Sequence, residues 1–340
     1  MTQPNPSRRD PHGTRLIAAD VGGTHARVAL VHAAPGRAPV ILHQHKYICA
    51  DFPSLSSVLQ DFATALGSVA VDAHDVGHAA IAIAGVLDGD NLINANLPWK
   101  TVSLSRTQAE SGLRDLALIN DFEALACGMP HVDPSEATLL TGTPVAPGSG
   151  PTLVVGPGTG FGAALRLPGP PPRVLATEAG HASLAPGNEV EIDILRWLLQ
   201  RMAHVDNERV LSGPGLVNAY HALCEQHGLP PLLEQPAQIT AVAQQGSDPM
   251  ATKALEVFCA LLGSAIADLV LSLGAHEVYI AGGIPSQITP FLQRSEFVTR
   301  FLNKGRLRPI LERVPVWVIE HGSLGVIGAA TWYVDQHLRD

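Results

Sequence analysis

The stretch Leu16–His32, "LIAADVGGTHARVALVH", can be laid over Pro151–Leu167, "PTLVVGPGTGFGAALRL", without a gap. Gly158-Thr159 then falls on Gly23-Thr24, and apolar runs flank both turns. Each copy reads as a β-hairpin with a Gly-Thr tip. The repeat has domain spacing rather than the short period of a solenoid. It therefore points to a duplicated α/β unit, with two such tips expected to face each other across a cleft.

The remaining segments fit that frame. "PVILHQHKYI" reads as a third strand, and "SLSSVLQDFATAL" has helical spacing after Ser54. "HAAIAIAG" and "LALI" are apolar runs of buried-strand length, and their alternation with helices argues for α/β. Later, Asn188 with Glu191 forms a capping pattern before "EVEIDILRWLL". Asp248, Pro249 and Gly274 frame a long apolar helix. "HEVYIAGGI" and "VPVWVIE" read as strands, "LPGPPPR" (167–173) as a tight turn between strands, and "GVIGAATWYVDQHL" as a closing helix. A chain of 340 residues, 46% apolar and 16% charged, has room for two cores. The expected division is a flexible extension at 1–14, a small α/β domain at 15–120 completed by the C-terminal helix at about 322–340, and a large α/β domain at 121–321.

Several function classes are excluded early. The net charge is −9 and no basic run is longer than Arg8-Arg9, which disfavours nucleic-acid binding. A nucleotide remains compatible, because backbone N–H groups and Mg²⁺ can supply the positive field. The four cysteines form no CxxC pair and no His/Cys cluster has zinc spacing, so reduced thiols in a cytosolic protein are expected. "MTQPNPSRRDPHGT" lacks the apolar middle of a signal peptide. The apolar run Val257–Leu273 is broken by Asp268 and reads as a buried helix rather than a membrane span.

Six segments carry candidate chemistry. In "DVGGTHAR", Gly22 and Gly23 let a backbone approach phosphate, Thr24 adds a hydroxyl, and Asp20 at a strand end can hold Mg²⁺ through water. "GPGTGFG" lacks the third glycine of a dinucleotide fingerprint and the Lys of a P-loop. Gly158, Thr159 and Gly160 read instead as a second phosphate tip, or as a plain hairpin. Gly282 and Gly283 in "IAGGI" suit a base or ribose against the backbone, or equally close helix–strand packing. In "LALINDFEALACG", Asp121 can accept a hydroxyl proton and Asn120 can donate to a sugar oxygen. Taken alone, that segment favours a helix cap. Glu178, His181 and Glu208 suit hydrogen bonding to a polyhydroxylated ligand; taken singly, they read as a satisfied histidine and solvated carboxylates.

Together these motifs resemble the bacterial glucokinase family of the sugar-kinase, actin and Hsp70 superfamily. The resemblance spans about residues 15–335 and rests on "DVGGTHAR", "NDFEA", "GPGTGFG", "EAGH", "ERVLSGPGLVN" and "IAGGI". It implies a two-domain actin-like (ribonuclease H-like) α/β fold, each domain a mixed sheet flanked by helices, and a cytoplasmic homodimer working in glycolysis. It implies Asp121 as general base and Asn120, Glu178, His181 and Glu208 as sugar ligands, joined by Asn96 of "NANLPW". Gly22, Gly23, Thr24, Gly158 and Thr159 match the phosphate tips, and Gly282 and Gly283 the adenosine side.

The implied reaction is transfer of the γ-phosphoryl group of ATP, with Mg²⁺ on the β- and γ-phosphates, to the 6-hydroxyl of glucose. Nearby alternatives are a kinase of mannose, fructose or N-acetylglucosamine, or a non-catalytic actin-like nucleotide-binding protein. Three departures stand out. His25 replaces the usual Asn after Gly-Gly-Thr, and Ala179 replaces a glycine and is expected to add a methyl beside the sugar. The zinc-cysteine cluster of the related repressor and kinase group is missing, so no structural zinc is expected, and fourteen residues before the first strand leave no room for that group's helix-turn-helix.

Overall fold

The computed structural model describes residues 13–68, 76–93, 97–146, 148–320 and 322–337. The chain forms two compact units, one of residues up to Val132 together with the C-terminal segment from His321, the other Asp133–Glu320.

In the first unit, β1 (Thr14–Val21), β2 (His25–Ala33) and β3 (Val40–Ile48) form an antiparallel meander. β4 (His78–Ile83) pairs parallel with β1. A small separate sheet of β5 (Val86–Asp88), β6 (Asn91–Ile93) and β7 (Val102–Ser103) follows. β8 (Asp115–Asn120) then pairs parallel with β4, giving the order β3-β2-β1-β4-β8. The two-residue period of a strand sorts the β1 side chains onto two faces. Ile17, Ala19 and Val21 join Leu55, Val58, Leu59 and Phe62 of the helix Leu55–Ser68 in one core. Leu16 and Ala18 join Val326, Ala329 and Tyr333 of the closing helix Leu324–His337 in another.

The first unit runs past Asn120, the boundary expected from the sequence, because the helix Asp121–Gly128 is packed tightly on the closing helix. A side chain at Gly328 would collide with the carbonyl of Ala124, and one at Gly128 would lie 2.9 Å from Leu324. Such closeness seats this helix in the first unit.

The second unit repeats the meander. β9 (Ala137–Thr141) is an edge strand; β10 (Thr152–Pro157), β11 (Phe161–Leu167) and β12 (Arg173–Thr177) run antiparallel. β13 (Glu277–Ile280) and β14 (Val316–Ile319) complete the order β12-β11-β10-β13-β14-β9. The helix Pro249–Leu273 contributes Leu255, Phe258, Leu262 and Ile266 to a single large core. It is long and apolar enough to cross a membrane, but lies mostly buried within the protein. Asp268, which interrupts its apolar run, meets Lys304 at 2.7 Å.

The two hairpin tips differ by one residue. Gly22 N–H donates to the His25 carbonyl at 2.9 Å, leaving Gly23-Thr24 as the tip. Gly158 N–H donates to the Gly160 carbonyl at 2.8 Å, leaving Thr159 alone between them. The gapless overlay therefore slips by one position beyond the second turn: Val21 faces Ala26, but Gly156 faces Gly162.

Candidate active site

Three parallel strands bring the first unit's candidates to one sheet edge. Val21 of β1 pairs with Ile83 of β4, and Ile83 pairs with Asn120 of β8. At about 4.8 Å per strand, Asn120 stands roughly 10 Å from Val21 in that row. The Gly22–Thr24 turn and Asp121 each follow this row directly, at the C-terminal edge where open α/β sheets place ligands.

The ambiguity at Asn120-Asp121 is resolved by local geometry. Asn120 is the cap: its side-chain oxygen accepts from Phe122 N–H at 2.9 Å and Glu123 N–H at 3.1 Å. The amide NH₂ of Asn120 is not used by the cap. Asp121 is the first helical residue and half-buried, with Oδ1 3.0 Å from Phe122 N. The cap and the carboxylate are thus two residues, not one.

Asp20 is half-buried beside this edge and paired in register with Arg27. Loss of water raises its carboxyl from 3.8 to about 6, with Arg27 opposing the rise. A side chain at position 325 would lie 2.7 Å from the Asp20 carboxyl, so Gly325 of the closing helix keeps this space clear. Cys49 holds the turn from behind. Its N–H donates to the Thr24 carbonyl at 2.9 Å, and its Sγ lies 3.4 Å from the Gly22 carbonyl. Gly22, Thr24 and His25 are exposed.

In the second unit the Gly158–Gly160 turn is fastened on two sides. Gly213 N–H donates to the Gly158 carbonyl at 2.8 Å. Glu208 Oε2 accepts from Phe161 N–H at 3.0 Å, and a Cβ at Gly160 would lie 2.5 Å from that oxygen. Glu208 is half-buried and bonded to the turn, not a member of a solvated helix face. From the β13 side, Gly282 has φ +107°, and a Cβ there would lie 2.7 Å from the Pro157 carbonyl. Packing alone demands glycine at 282. Gly283 is exposed, with nothing within 4 Å of a Cβ, so the backbone there is open to a ligand.

Glu178 and His181 flank a single 3₁₀ turn, Ala179–His181. Both side chains are exposed, with His181 Nε2 3.8 Å from Glu178 Oε2. The methyl of Ala179 does not face the ligand side as expected from the sequence: Ala179 is buried and joins the large core with Phe161, Leu184 and Val205. Gly180 packs against the Phe161 carbonyl, which draws this turn to the root of the Gly158–Gly160 tip. Glu178, His181 and Glu208 therefore share one corner of the second unit with the phosphate-type turn.

Asn96 lies outside the described residues. Sequence reasoning missed Cys49, Gly213 and Asp206, all of which hold candidate residues through contacts between distant segments. Asp206 had one local signal, a capping Asp before "NER", and its side chain does accept from Arg209 N–H. Among the described residues there is no group of three or more His, Cys, Asp and Glu side chains arranged to hold a metal.

A family model described as Glucokinase matches residues 17–336. The chain is 45% identical to a "Glucokinase-like protein" of Xylella fastidiosa, over 98% of both chains. It is 38% identical to a glucokinase of Stenotrophomonas maltophilia, covering 94% of this chain and 95% of that one. Among solved structures, it resembles a glucokinase from an Antarctic psychrotroph with TM-score 0.79 and 33% identity, over 94% of this chain and 98% of that chain.

Proposed function

Since the chain belongs to the glucokinase family of sugar kinases, with their actin-like fold, we propose that it transfers the γ-phosphoryl group of ATP to the 6-hydroxyl of D-glucose. The observation that carries this reading is the Val21–Ile83–Asn120 row. It gives one rigid sheet edge both a phosphate-type turn and a carboxylate, at a spacing that suits a phosphoryl donor and an attacking alcohol.

In this reading Asp121 accepts the proton of the 6-hydroxyl as its oxygen attacks the γ-phosphorus in line. Asn120 donates its NH₂ to a sugar oxygen while its side-chain oxygen caps the helix. Glu178, His181 and Glu208 take the remaining hydroxyls, and Asn96 is a further sugar ligand. Gly22, Gly23, Thr24, Gly158, Thr159 and Gly160 line the phosphates, and Gly283 lies under the nucleoside with Gly282 setting its position.

The residues fit Mg²⁺ of the kind held largely by phosphates and water. Asp20 offers one carboxylate at the end of β1, raised to about 6 by burial against the opposing pull of Arg27. Bound there through water, the ion would neutralise charge on the β- and γ-phosphates. A cytoplasmic homodimer acting in glycolysis belongs to the same proposal, by family membership.

The test is a coupled assay of ADP release with glucose, mannose, fructose and N-acetylglucosamine. Glucose is expected to give the highest kcat/KM, and another hexose in first place would replace glucose as the substrate. Asp121→Ala should lose at least about 10²-fold in kcat while keeping most of its glucose affinity. Near-normal turnover in that variant overturns the general-base role.

A further inference from the structure

We infer that Asp206 is a positioning residue for sugar recognition, its buried carboxylate holding the Nδ1–H of His181 so that Nε2 is presented to the ligand. The inference rests on the reading of Glu178, His181 and Glu208 as the sugar side.

The backbone fixes the pair. Leu184 N–H donates to the Val205 carbonyl at 3.0 Å, and Asn207 N–H to the Ala182 carbonyl at 2.9 Å. Asn207 Nδ2 also donates to the Ala179 carbonyl at 3.3 Å. The segments carrying His181 and Asp206 are therefore pinned to each other on both sides of the contact. Within that frame His181 Nδ1 lies 3.4 Å from Asp206 Oδ2.

The burial is one-sided. Asp206 is 3% exposed, whereas the His181 side chain is 57% exposed. A buried carboxylate is costly unless it is bonded and balanced. Asp206 Oδ1 accepts from Arg209 N–H at 3.1 Å, with Arg209 Nε at 3.6 Å. Capping the 3₁₀ turn Asn207–Arg209 needs only that one oxygen and no charge, which a serine would supply. The second oxygen, Oδ2, is left for His181, while Arg209 balances part of the charge from the Oδ1 side.

The consequence is directional. A ring nitrogen bonded to a carboxylate fixes both tautomer and ring plane, and so decides what the other nitrogen offers. Among the described residues, Glu178 Oε2 lies 3.8 Å from His181 Nε2, and His204 Nε2 lies 3.2 Å from the His181 carbonyl. Asp206 thereby sets a hydroxyl-binding nitrogen beside the Glu178 carboxylate without touching the sugar.

The experiment combines NMR and kinetics on the full chain. Long-range ¹H–¹⁵N spectra of histidine-labelled protein, with His181 assigned by its absence in His181→Ala, should show a proton on Nδ1. A bare Nδ1 in the wild type overturns the inference without any variant at Asp206. Asp206→Ser keeps the cap oxygen but cannot reach the ring. It should raise KM for glucose about tenfold, leave KM for ATP unchanged and release the Nδ1–H preference. In a His181→Ala background the same change should have no further effect on KM for glucose. An equal effect in both backgrounds, or an unchanged KM and tautomer, overturns the positioning role. If His181→Ala itself leaves KM for glucose unchanged, the sugar-side reading falls, and the role for Asp206 falls with it.

Discussion

Glu208 Oε2 accepts a hydrogen bond from the backbone N–H of Phe161 at 3.0 Å. This ties a candidate sugar ligand to the first residue after the Gly158–Gly160 turn, so a displacement of one is felt by the other. Binding energy gained at one substrate can then be spent on placing the other, which is how phosphoryl transfer is catalysed when positioning dominates.

Gly160→Ala tests that coupling. The new methyl would lie 2.5 Å from Glu208 Oε2, the far end of a flexible side chain. The side chain can move aside at little cost in stability, but it then leaves Phe161 N–H and the sugar side. The expected result is a Tm within a few degrees of wild type with kcat/KM for glucose lowered about tenfold or more. A large fall in Tm would show that the turn, rather than the carboxylate, gave way.

At Asn120, two substitutions separate the cap from the ligand contact. Asn120→Asp keeps an oxygen for Phe122 and Glu123 N–H but removes the NH₂ donor. It should raise KM for glucose with little change in Tm. Asn120→Ala removes both and should in addition cost about 1 kcal/mol of stability. Equal KM values for Asn120→Asp and wild type, measured by steady-state kinetics, would leave Asn120 as a cap only.

Local chemistry explains what could be read from the chain. Asn188 accepts from Glu191 N–H at 3.0 Å, Asp248 from Met250 N–H at 2.8 Å, and Gly274 ends the long helix at φ +67°. Each depends on neighbours a few positions away, so the sequence displays it. The apolar runs of β1, β4, β8 and β10 are visible for the same reason. What escaped is nonlocal or weakly patterned. β5 has three exposed residues and no alternation to detect. Asp206 is buried where an isolated bridge joins it to Ser183 of another segment. The methyl of Ala179 turns inward because Asn207 bonds the Ala179 carbonyl and Gly180 packs on Phe161, contacts that nothing in "EAGH" reveals.

His78 gives the first unit a pH dependence of defined sign. Tyr333 Oη donates to Asp115 Oδ2 and lies 2.8 Å from His78 Nδ1, while the His337 ring stacks on Tyr333 at 4.3 Å. Burial, then Arg114, holds His78 below its ordinary value of 6.5; Asp115 pulls the other way and His337 adds slightly to the lowering. The unfolded chain therefore binds more protons than the folded one just below that value. Stability from this group is present above 6.5 and is lost as pH falls through the folded value. Tm measured between about pH 7.5 and 5.5 should fall less steeply in His78→Asn than in the wild type. Identical slopes would mean that His78 titrates alike in both states.

Glu191 and Arg300 form a buried ion pair in the second unit. Glu191 is 1% exposed and accepts from Gly187 N–H at 2.6 Å, Asn188 Nδ2 at 2.9 Å and Arg300 Nη2 at 3.0 Å, with Arg300 Nη1 on its other oxygen. Removing the guanidinium leaves a buried charge with neutral donors only. Arg300→Ala should therefore cost about 3–5 kcal/mol in urea unfolding. Adding Glu191→Gln removes the unbalanced charge and should recover part of that loss, since an amide is far cheaper to bury than a carboxylate. Neither residue belongs to the candidate site, so KM for glucose should stay constant in both variants below their unfolding transitions. A loss under about 1 kcal/mol for Arg300→Ala would place Glu191 in contact with water and make the pair an ordinary surface one.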